Sequence, residues 1–344
     1  MAMIDEEALK KQIRENNFSR LYLFYGEESY LKQQYVSRII EKTTQESFRT
    51  FNLHTLSGKD TTLDEIAECC EAMPMMGDYS VTVVNDMDLS KLDTGKSGKL
   101  CQLISDVPDT SVLIFKQDTV SVDRKDKKWS EIIKAFDKFG CAVCLDKKTG
   151  ADLVKMLVGG AKKRDCVLSN ADARYLISLV GDDLNVLLNE LEKVCLFAEK
   201  REITQRDIDA IAVKSTEATA FTLTKFLIAG NFDKAYEALD TLFFTKTEPT
   251  LIMGALISAY VDMYRAKVAI TNGENSSAPA KAFNYRGREF RLSNAARDAS
   301  KLSIIQLRNA LEILSEADEK LKTNYEESKV RLTIEEAMVR LVLI

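Results

Sequence analysis

The fold is decided by residues 21–33, LYLFYGEESYLKQ. The first five of these residues are apolar and predict a buried strand. Gly26 follows that strand directly, as in the phosphate-binding loop G-x-x-x-x-G-K-[ST] of nucleotide-binding α/β domains. Lys32 is retained, but Leu31 stands at the second glycine and Gln33 stands at the hydroxyl that holds magnesium. The segment therefore predicts a nucleotide-binding shape that has lost its phosphate chemistry.

A second broken motif supports this interpretation. The third predicted strand ends at Asn85-Asp86, where an active ATPase presents two adjacent acidic residues. In the loop itself, Glu27 and Glu28 would repel a triphosphate. We therefore expect no ATP hydrolysis, no bound cofactor and no metal. Taken alone, residues 26–33 are also compatible with an ordinary strand-to-helix turn.

Strand-like and helix-like segments alternate in the first part of the chain. The predicted strands are residues 21–25, 51–56, 81–85, 112–115 and 141–145. The predicted helices between them are residues 30–42, 63–73, 99–104 and 129–136. Thr62 and Glu65 have the spacing of a capping box at the start of the second helix. This alternation predicts a parallel sheet with helices on both faces.

From residue 147 onward the strand signals stop and amphipathic helices follow one another. Thr149, Ser169 and Thr204 are candidate helix caps, and residues 272–280 predict an interhelical loop. The predicted fold class is therefore α/β followed by all-α. The predicted domains are residues 1–146, 147–215 and 216–344.

Composition excludes several classes of protein. The chain of 344 residues is 45% hydrophobic and 29% charged, and its apolar runs are far shorter than the roughly 20 residues of a membrane helix. Asp5, Glu6 and Glu7 occupy the region where a signal peptide carries positive charge, so we expect a cytoplasmic protein without a membrane partner. The net charge of −5 argues against unaided binding to duplex DNA.

The cysteines and the single histidine indicate no catalytic or metal site. Cys141 and Cys144 have C-x-x-C spacing, but a separation of three in a predicted strand puts their side chains on opposite faces. We interpret both as structural thiols. His54 lies in a predicted strand without a nucleophile at a suggestive spacing.

An apolar loop precedes the third predicted strand. It reads Met73-Pro74-Met75-Met76-Gly77-Asp78; Pro74 ends the helix before it and Gly77-Asp78 begins a turn. Methionine is flexible and polarisable, which suits an adaptable binding surface. Two interpretations remain: the methionines are an exposed anchor for a partner, or they are core under the edge of the sheet.

Four segments together resemble one family, the delta subunit of the bacterial DNA polymerase III clamp loader. They are residues 21–28, 73–78, 181–193 (GDDL leading to NELEK) and 317–322 (ADEKLK). The order and spacing of these segments, together with the total length, make the resemblance specific across nearly the whole chain.

The resemblance implies a RecA-like AAA+ domain, a small helical lid domain, and a helical collar through which five loader subunits form a ring. It implies a non-catalytic subunit of the DNA polymerase holoenzyme that binds and opens the sliding clamp (beta subunit), with gamma/tau and delta-prime subunits and primed DNA as further partners. In this family an apolar pair, more often Leu or Phe, inserts into a pocket on the clamp. Met75 and Met76 match that pair, and Met73 and Pro74 complete the element.

Two basic stretches are candidate DNA phosphate contacts. They are Arg124, Lys125, Lys127 and Lys128, and the group Arg286, Arg288 and Arg291 around Phe290. Neither carries a base-reading motif, so contact would be to phosphates and sensitive to salt. Solvated surface charge is the other interpretation.

Two other function classes remain open on sequence alone. One is an active AAA+ ATPase, which turnover of ATP would reveal. The other is a helical adaptor that reuses this fold outside replication, which a failure to bind the sliding clamp would favour.

Overall fold

The computed structural model describes residues 5–148, 150–283, 285, 290–323 and 327–344. The chain forms two compact units, Met1–Lys147 and Lys148–Ile344. In the described ranges, no helix combines the length and apolar character needed to cross a bilayer.

The first unit alternates helices with strands. Its elements are α1 (Glu6–Arg14), β1 (Leu21–Tyr25), α2 (Ser29–Thr43), α3 (Arg49–Asn52), β2 (Leu53–Ser57), α4 (Leu63–Glu71), β3 (Ser80–Asn85), α5 (Thr94–Ser105), β4 (Ser111–Lys116), α6 (Lys127–Phe139) and β5 (Cys141–Cys144). Short 3-10 turns occupy Glu46–Phe48 and Leu89–Lys91.

The five strands form one parallel sheet in the order β2-β3-β4-β1-β5. Every residue of β1 is buried, as are the first five residues of β3 and of β4. Strands covered on both faces need continuous apolar runs, which explains why the sequence identified them well. The predicted fold class, an α/β parallel-sheet domain followed by helices, is confirmed, and its assignment as a RecA-like AAA+ domain stays a prediction.

The prediction was wrong at the start of β2 and at the end of α4, and it missed helix α1. Strand β2 begins at Leu53, not at residue 51, because Phe51 and Asn52 belong to the single turn α3. Helix α4 has the expected capping box but ends at Glu71, since Ala72 is already extended ahead of Pro74.

The second unit is helical. Its elements are α7 (Gly150–Lys162), β6 (Val167–Leu168), α8 (Asn170–Val180), α9 (Leu184–Ala198), β7 (Glu202–Ile203), α10 (Gln205–Ile211), α11 (Thr216–Ile228), α12 (Phe232–Phe244), α13 (Pro249–Thr271), α14 (Phe290–Asp298), α15 (Ile304–Thr323) and α16 (Glu327–Val342). Strands β6 and β7 pair in parallel. The expectation that no strand follows residue 147 was therefore wrong. Strands of two residues are too short to show the alternation of apolar and polar residues by which a strand is recognised in a sequence.

Of the three helix caps predicted in this unit, two can be compared with the structure. Ser169 caps α8, since its hydroxyl accepts a hydrogen bond from the Asp172 N–H at 3.0 Å. At the start of α10 the Asp207 carboxylate accepts from both the N–H and the hydroxyl of Thr204. Thr149 lies outside the described residues. Helices α11 to α16 share one large apolar cluster, and a smaller one joins α13 and α14. The lid and collar boundary at residue 215 stays a prediction.

Candidate functional sites at the two edges of the sheet

Two candidate sites lie at opposite ends of the strands of the parallel sheet, and we call these two ends the carboxyl edge and the amino edge. Gly26, Asp86 and Gln117 follow the carboxyl ends of β1, β3 and β4, and these ends share one edge because the strands are parallel. Asn52 and the loop at residues 72–79 precede β2 and β3, so they lie at the amino edge. Strands of five or six residues separate these two edges by roughly 17–20 Å.

Gly26 makes the turn at the carboxyl edge. Its φ of +108° is a conformation that residues with a Cβ rarely adopt, and an added Cβ would lie 2.4 Å from the carbonyl oxygen of Leu145. That carbonyl also accepts a hydrogen bond from the N–H of Glu28 at 2.9 Å. A backbone N–H that a phosphate loop would offer to its ligand is therefore bound within the chain.

Lys32 is completely buried. Its ammonium group donates hydrogen bonds to the carbonyl oxygens of Gly26, at 2.8 Å, and of Gln117. It also lies 3.0 Å from Oδ1 of Asp118. The two carbonyl oxygens take two of the three N–H donors of the lysine, and the carboxylate of Asp118 balances its charge inside the protein.

Asp118 joins two lysines at this edge. Its second oxygen, Oδ2, lies 3.0 Å from Nζ of Lys116, which also donates to the side chain of Gln33 at 2.7 Å. Leu31, at the position of the second loop glycine, is only 1% exposed and belongs to the core. The residues of a magnesium–nucleotide site are therefore replaced or bound to one another, and they do not fit such a ligand.

Asp86 has an internal role as well. Its Oδ1 accepts hydrogen bonds from the N–H groups of Asp118 at 2.7 Å, Thr119 at 2.7 Å and Val120 at 3.4 Å. Partial burial raises the pKa of this carboxyl, but the N–H donors outweigh burial and the pKa is lowered. The retained acidic residue of the second motif thus fixes the turn after β4.

The methionine loop at the amino edge is exposed. Met73 is 85% exposed, Met75 47% and Met76 72%, while Pro74 is half-buried. This exposure contradicts the interpretation that the methionines are core, and a role as an anchor for a partner stays a prediction. Met76 has a φ of +53°, a left-handed conformation that is uncommon for a bulky residue.

Asn52 fixes the backbone of this loop. Its side-chain oxygen accepts a hydrogen bond from the N–H of Met75 at 2.7 Å, and its side-chain nitrogen donates to the carbonyl oxygen of Met75 at 2.8 Å. Asn52 itself is 2% exposed. The amide thus holds the middle of an exposed loop in the manner of a neighbouring strand.

The predicted basic segment after β4 is exposed along its length. The guanidinium of Arg124 pairs with Asp146 at 3.0 Å, and Lys128 donates to the carbonyl oxygen of Ser90 at 3.1 Å. Lys125 and Lys127 lie between them on the surface. A DNA contact by this segment stays a prediction.

The second predicted basic stretch is not a surface patch where it is described. The side chain of Arg291 is 12% exposed and pairs with the buried Asp262 at 3.0 Å. It also donates to Ser258 at 2.9 Å and lies over the ring of Phe221. Arg286 and Arg288, and the side chain of Phe290, lie outside the described residues. The charge of Arg291 is used inside the helical unit, which argues against a DNA phosphate contact by this residue.

The described residues include no group of three or more His, Cys, Asp or Glu side chains arranged to hold a metal ion. Cys141 is buried near Gln12, whereas Cys144 is half-buried and donates to Asp146. The different neighbours agree with the expected opposite orientation of the two thiols. His54 lies in β2, as predicted.

Sequence reasoning missed Asn52, Gln117 and Asp118. The signal for the last two was available, since residues just after parallel strands meet at one edge and Lys32 is close to that edge in sequence. For Asn52 the signal was hidden, because the residue was assigned to the interior of a strand.

Comparison with known proteins gives matches along most of the chain. The family model for "DNA polymerase III, delta subunit" matches residues 22–145, and the model for "DNA polymerase III delta subunit, C-terminal domain" matches residues 217–340. The DNA polymerase III subunit delta of Bacillus subtilis (strain 168) is 23% identical over 332 residues, which are 94% of each chain. The Escherichia coli (strain K12) subunit is 21% identical and is matched over 95% of this chain and 93% of its own.

A solved structure gives the same fold. The Bacillus subtilis DNA clamp loader delta protein superposes with a TM-score of 0.64 at 21% identity, covering 98% of this chain and 99% of its own. The two family models, the full-length relatives and this shared fold agree with each other. The chain therefore belongs to the family of DNA polymerase III delta subunits.

Proposed function

We propose that this chain is the clamp-loader subunit that captures and opens the sliding clamp, and that it does so without hydrolysing ATP. In this proposal the loop at residues 73–76 docks into an apolar pocket on the clamp. The docked subunit then strains an interface of the ring so that it can be placed on primed DNA.

The single observation that carries the proposal is the exposure of Met73, Met75 and Met76 on a loop whose backbone is fixed. Large apolar side chains exposed in a cluster are typical of binding surfaces. Burying one such side chain contributes about 1.5–3 kcal/mol, so two or three of them could anchor a stable complex. A fixed backbone lowers the entropy that docking must overcome.

The contacts of Lys32, in the loop that resembles a phosphate-binding loop (residues 26–33), support the absence of ATP hydrolysis. Lys32 already has three oxygen partners, one of them the carboxylate of Asp118. A γ-phosphate would have to displace these partners and approach Glu27 and Glu28. Energy for opening and closing the clamp would then come from neighbouring subunits.

This mechanism requires coupling between subunits. The gamma/tau subunits would bind and hydrolyse ATP, and their state would hide or present the methionine loop. In the proposed assembly the chain sits in a cytoplasmic hetero-pentamer with gamma/tau and delta-prime, held by a helical collar formed by residues 216–344.

A clamp-binding measurement on the isolated chain tests the proposal. The double substitution Met75→Ala with Met76→Ala should weaken binding of the sliding clamp by about 2–4 kcal/mol, on the order of a hundredfold or more. Leu196→Ala is a matched control, because Leu196 is also 72% exposed but lies in the helical unit. Clamp binding that survives the double substitution would contradict the proposal.

A second arm addresses nucleotide chemistry. Calorimetry with magnesium and ATP should give no turnover by the isolated chain, and clamp affinity should be the same with and without ATP. Steady phosphate release by the purified chain would instead support an active ATPase.

A further inference from the structure

The short helix α3 lies beside the methionine loop. Strands β2 and β3 pair with Leu53 opposite Val81, so the residues that precede them meet at the amino edge of the sheet. Asn52 precedes β2 and holds Met75, which lies five residues before β3 begins at Ser80. Two segments that are distant in sequence are thereby joined by one amide.

The orientation of that amide is fixed by its partners. The N–H of Met75 can only donate, so it faces the oxygen of Asn52; the carbonyl of Met75 can only accept, so it faces the nitrogen. No other uncharged side chain of similar length offers both groups at this spacing. Asn52 thus matches the backbone of Met75 in a way that neither Asp nor Leu can reproduce at neutral pH.

Phe51 is exposed next to this contact. It is 55% exposed and lies one peptide unit, about 3.8 Å between Cα atoms, from the residue that holds Met75. Phe51 is not among the buried apolar residues of the first unit. An exposed aromatic ring in a single helical turn has no evident role in folding.

We propose that the clamp-docking surface consists of two segments, the methionine loop and α3. Asn52 is a positioning residue that orders the loop before docking, and Phe51 is a second apolar contact with the clamp. This inference rests on the proposed function and assigns it two further residues. The occupant is the sliding clamp, because the two hydrogen bonds of Asn52 join α3 to the loop that is proposed to dock there.

The partners of Asn52 argue against a purely internal role. A buried amide needed for core stability would bond to core groups, whereas both of its bonds go to the backbone of a loop with exposed side chains. The main consequence of losing Asn52 should therefore be felt in docking.

The first test measures loop order in the free chain. The N–H of Met75 should exchange slowly with solvent in the wild type, because it donates to Asn52, and rapidly in Asn52→Leu. This readout needs no clamp. Equal exchange rates in the two proteins would overturn the positioning role.

The second test measures clamp affinity. Asn52→Leu should weaken binding on the order of tenfold, since two hydrogen bonds that order the loop are lost. Asn52→Asp provides a rescue: its protonated carboxyl can donate to the Met75 carbonyl and accept from the N–H. An exposed aspartate titrates near about 3.9 and burial raises the pKa of a carboxyl, so binding by Asn52→Asp, relative to wild type, should recover as the pH falls from about 7 towards about 4.5.

Phe51→Ala should weaken clamp binding on the order of fivefold. Phe197→Ala is the matched control, because Phe197 is also an exposed aromatic residue, at 49%, outside this surface. If Phe51→Ala behaves like Phe197→Ala, Phe51 is not a contact.

The binding measurements distinguish failure of this inference from failure of the proposed function. Should Met75→Ala with Met76→Ala abolish binding while Asn52→Leu and Phe51→Ala leave it intact, the two-segment surface is wrong and clamp capture stands. If the methionine substitutions themselves have no effect, clamp capture by this loop is wrong.

Discussion

The carboxylate of Asp118 lies 3.0 Å from the ammonium of Lys32, at the place where a nucleotide-binding domain would bring a phosphate to its lysine. The lysine of the ancestral motif therefore has an internal anion as its partner. Its burial is complete, so it contributes to the interior of the domain and not to a ligand site.

Lys32→Met should lower the free energy of unfolding by about 2–4 kcal/mol. The substitution leaves two buried carbonyl oxygens without a donor and removes the ion-pair partner of Asp118. A lysine reserved for a ligand would show a smaller effect, because its cation is ordinarily hydrated in the free protein. Urea unfolding measures the difference.

Lys96→Met is a suitable control, since Lys96 is an exposed lysine in the same unit and its substitution should change stability by less than about 0.5 kcal/mol. A loss below about 1 kcal/mol for Lys32→Met would contradict a structural role.

Asp86→Asn should remove a pH-dependent part of the stability. The N–H donors of the turn at residues 118–120 lower the pKa of Asp86 despite its partial burial. A lowered folded-state pKa contributes stability above the unfolded-state value of about 3.9, and this contribution is lost as the pH falls through the folded-state pKa. Asn tolerates the φ of +57° and keeps a carbonyl oxygen, so the substitution isolates the charge.

We expect Asp86→Asn to be about 1 kcal/mol less stable than wild type near pH 7, since the carboxyl is half-buried and solvent screens it. The difference should shrink as the pH approaches about 3. Unfolding curves at several pH values check this, and a difference that stays constant with pH would contradict it.

The central strands could be predicted from sequence because they are buried on both faces and therefore appear as short apolar runs. The bounds of β1 were predicted to the residue, and those of β3 and β4 nearly so, since burial on both faces demands unbroken apolar runs. Helix α1 was missed because it buries only Leu9 and Ile13, and two apolar residues do not establish a period.

The edge strand β2 was mispredicted for a tertiary reason. Phe51 favours a strand by its intrinsic propensity, but the chain makes a helical turn there and Asn52 bonds to a loop that is distant in sequence. For the same reason, contacts between residues that are distant in sequence could not be predicted at the candidate sites. Broken motifs can be read locally, whereas the partners of Lys32 and Met75 come from other strands and loops.

Asp262→Asn should lower the stability of the helical unit by about 3 kcal/mol. Asp262 is 3% exposed; it accepts hydrogen bonds from Arg291, at 3.0 Å, and from the hydroxyl of Tyr285. Removing its charge breaks the ion pair with Arg291 inside the helical unit, which is costly because one partner of a largely buried pair is lost. Chemical unfolding of the full chain measures the loss.

A double substitution tests whether Asp262 and Arg291 stabilise the helical unit as a pair. Arg291→Met alone should also be destabilising, but Asp262→Leu combined with Arg291→Met should cost less than the sum of the single changes, because no unpaired charge remains. Additive losses would mean that the two side chains stabilise the unit independently.

Lys125→Glu with Lys127→Glu should weaken DNA binding by the assembled loader. Within the predicted basic segment, Arg124 is paired with Asp146 and Lys128 with a carbonyl oxygen, so Lys125 and Lys127 are the cations best placed for phosphates. Each lost phosphate contact should reduce the slope of log K against log salt by about 0.9. Binding to primed DNA measured over a range of salt gives that slope.

The matched control is Lys59→Glu with Lys96→Glu, two exposed lysines of the same unit. It changes the net charge by the same amount, and long-range repulsion of DNA is therefore similar in the two proteins. A local phosphate contact should appear as a difference in salt slope between them, because only released counterions change that slope. Equal slopes would mean that the basic segment is solvated surface, and that any DNA contact by the loader is made through other residues.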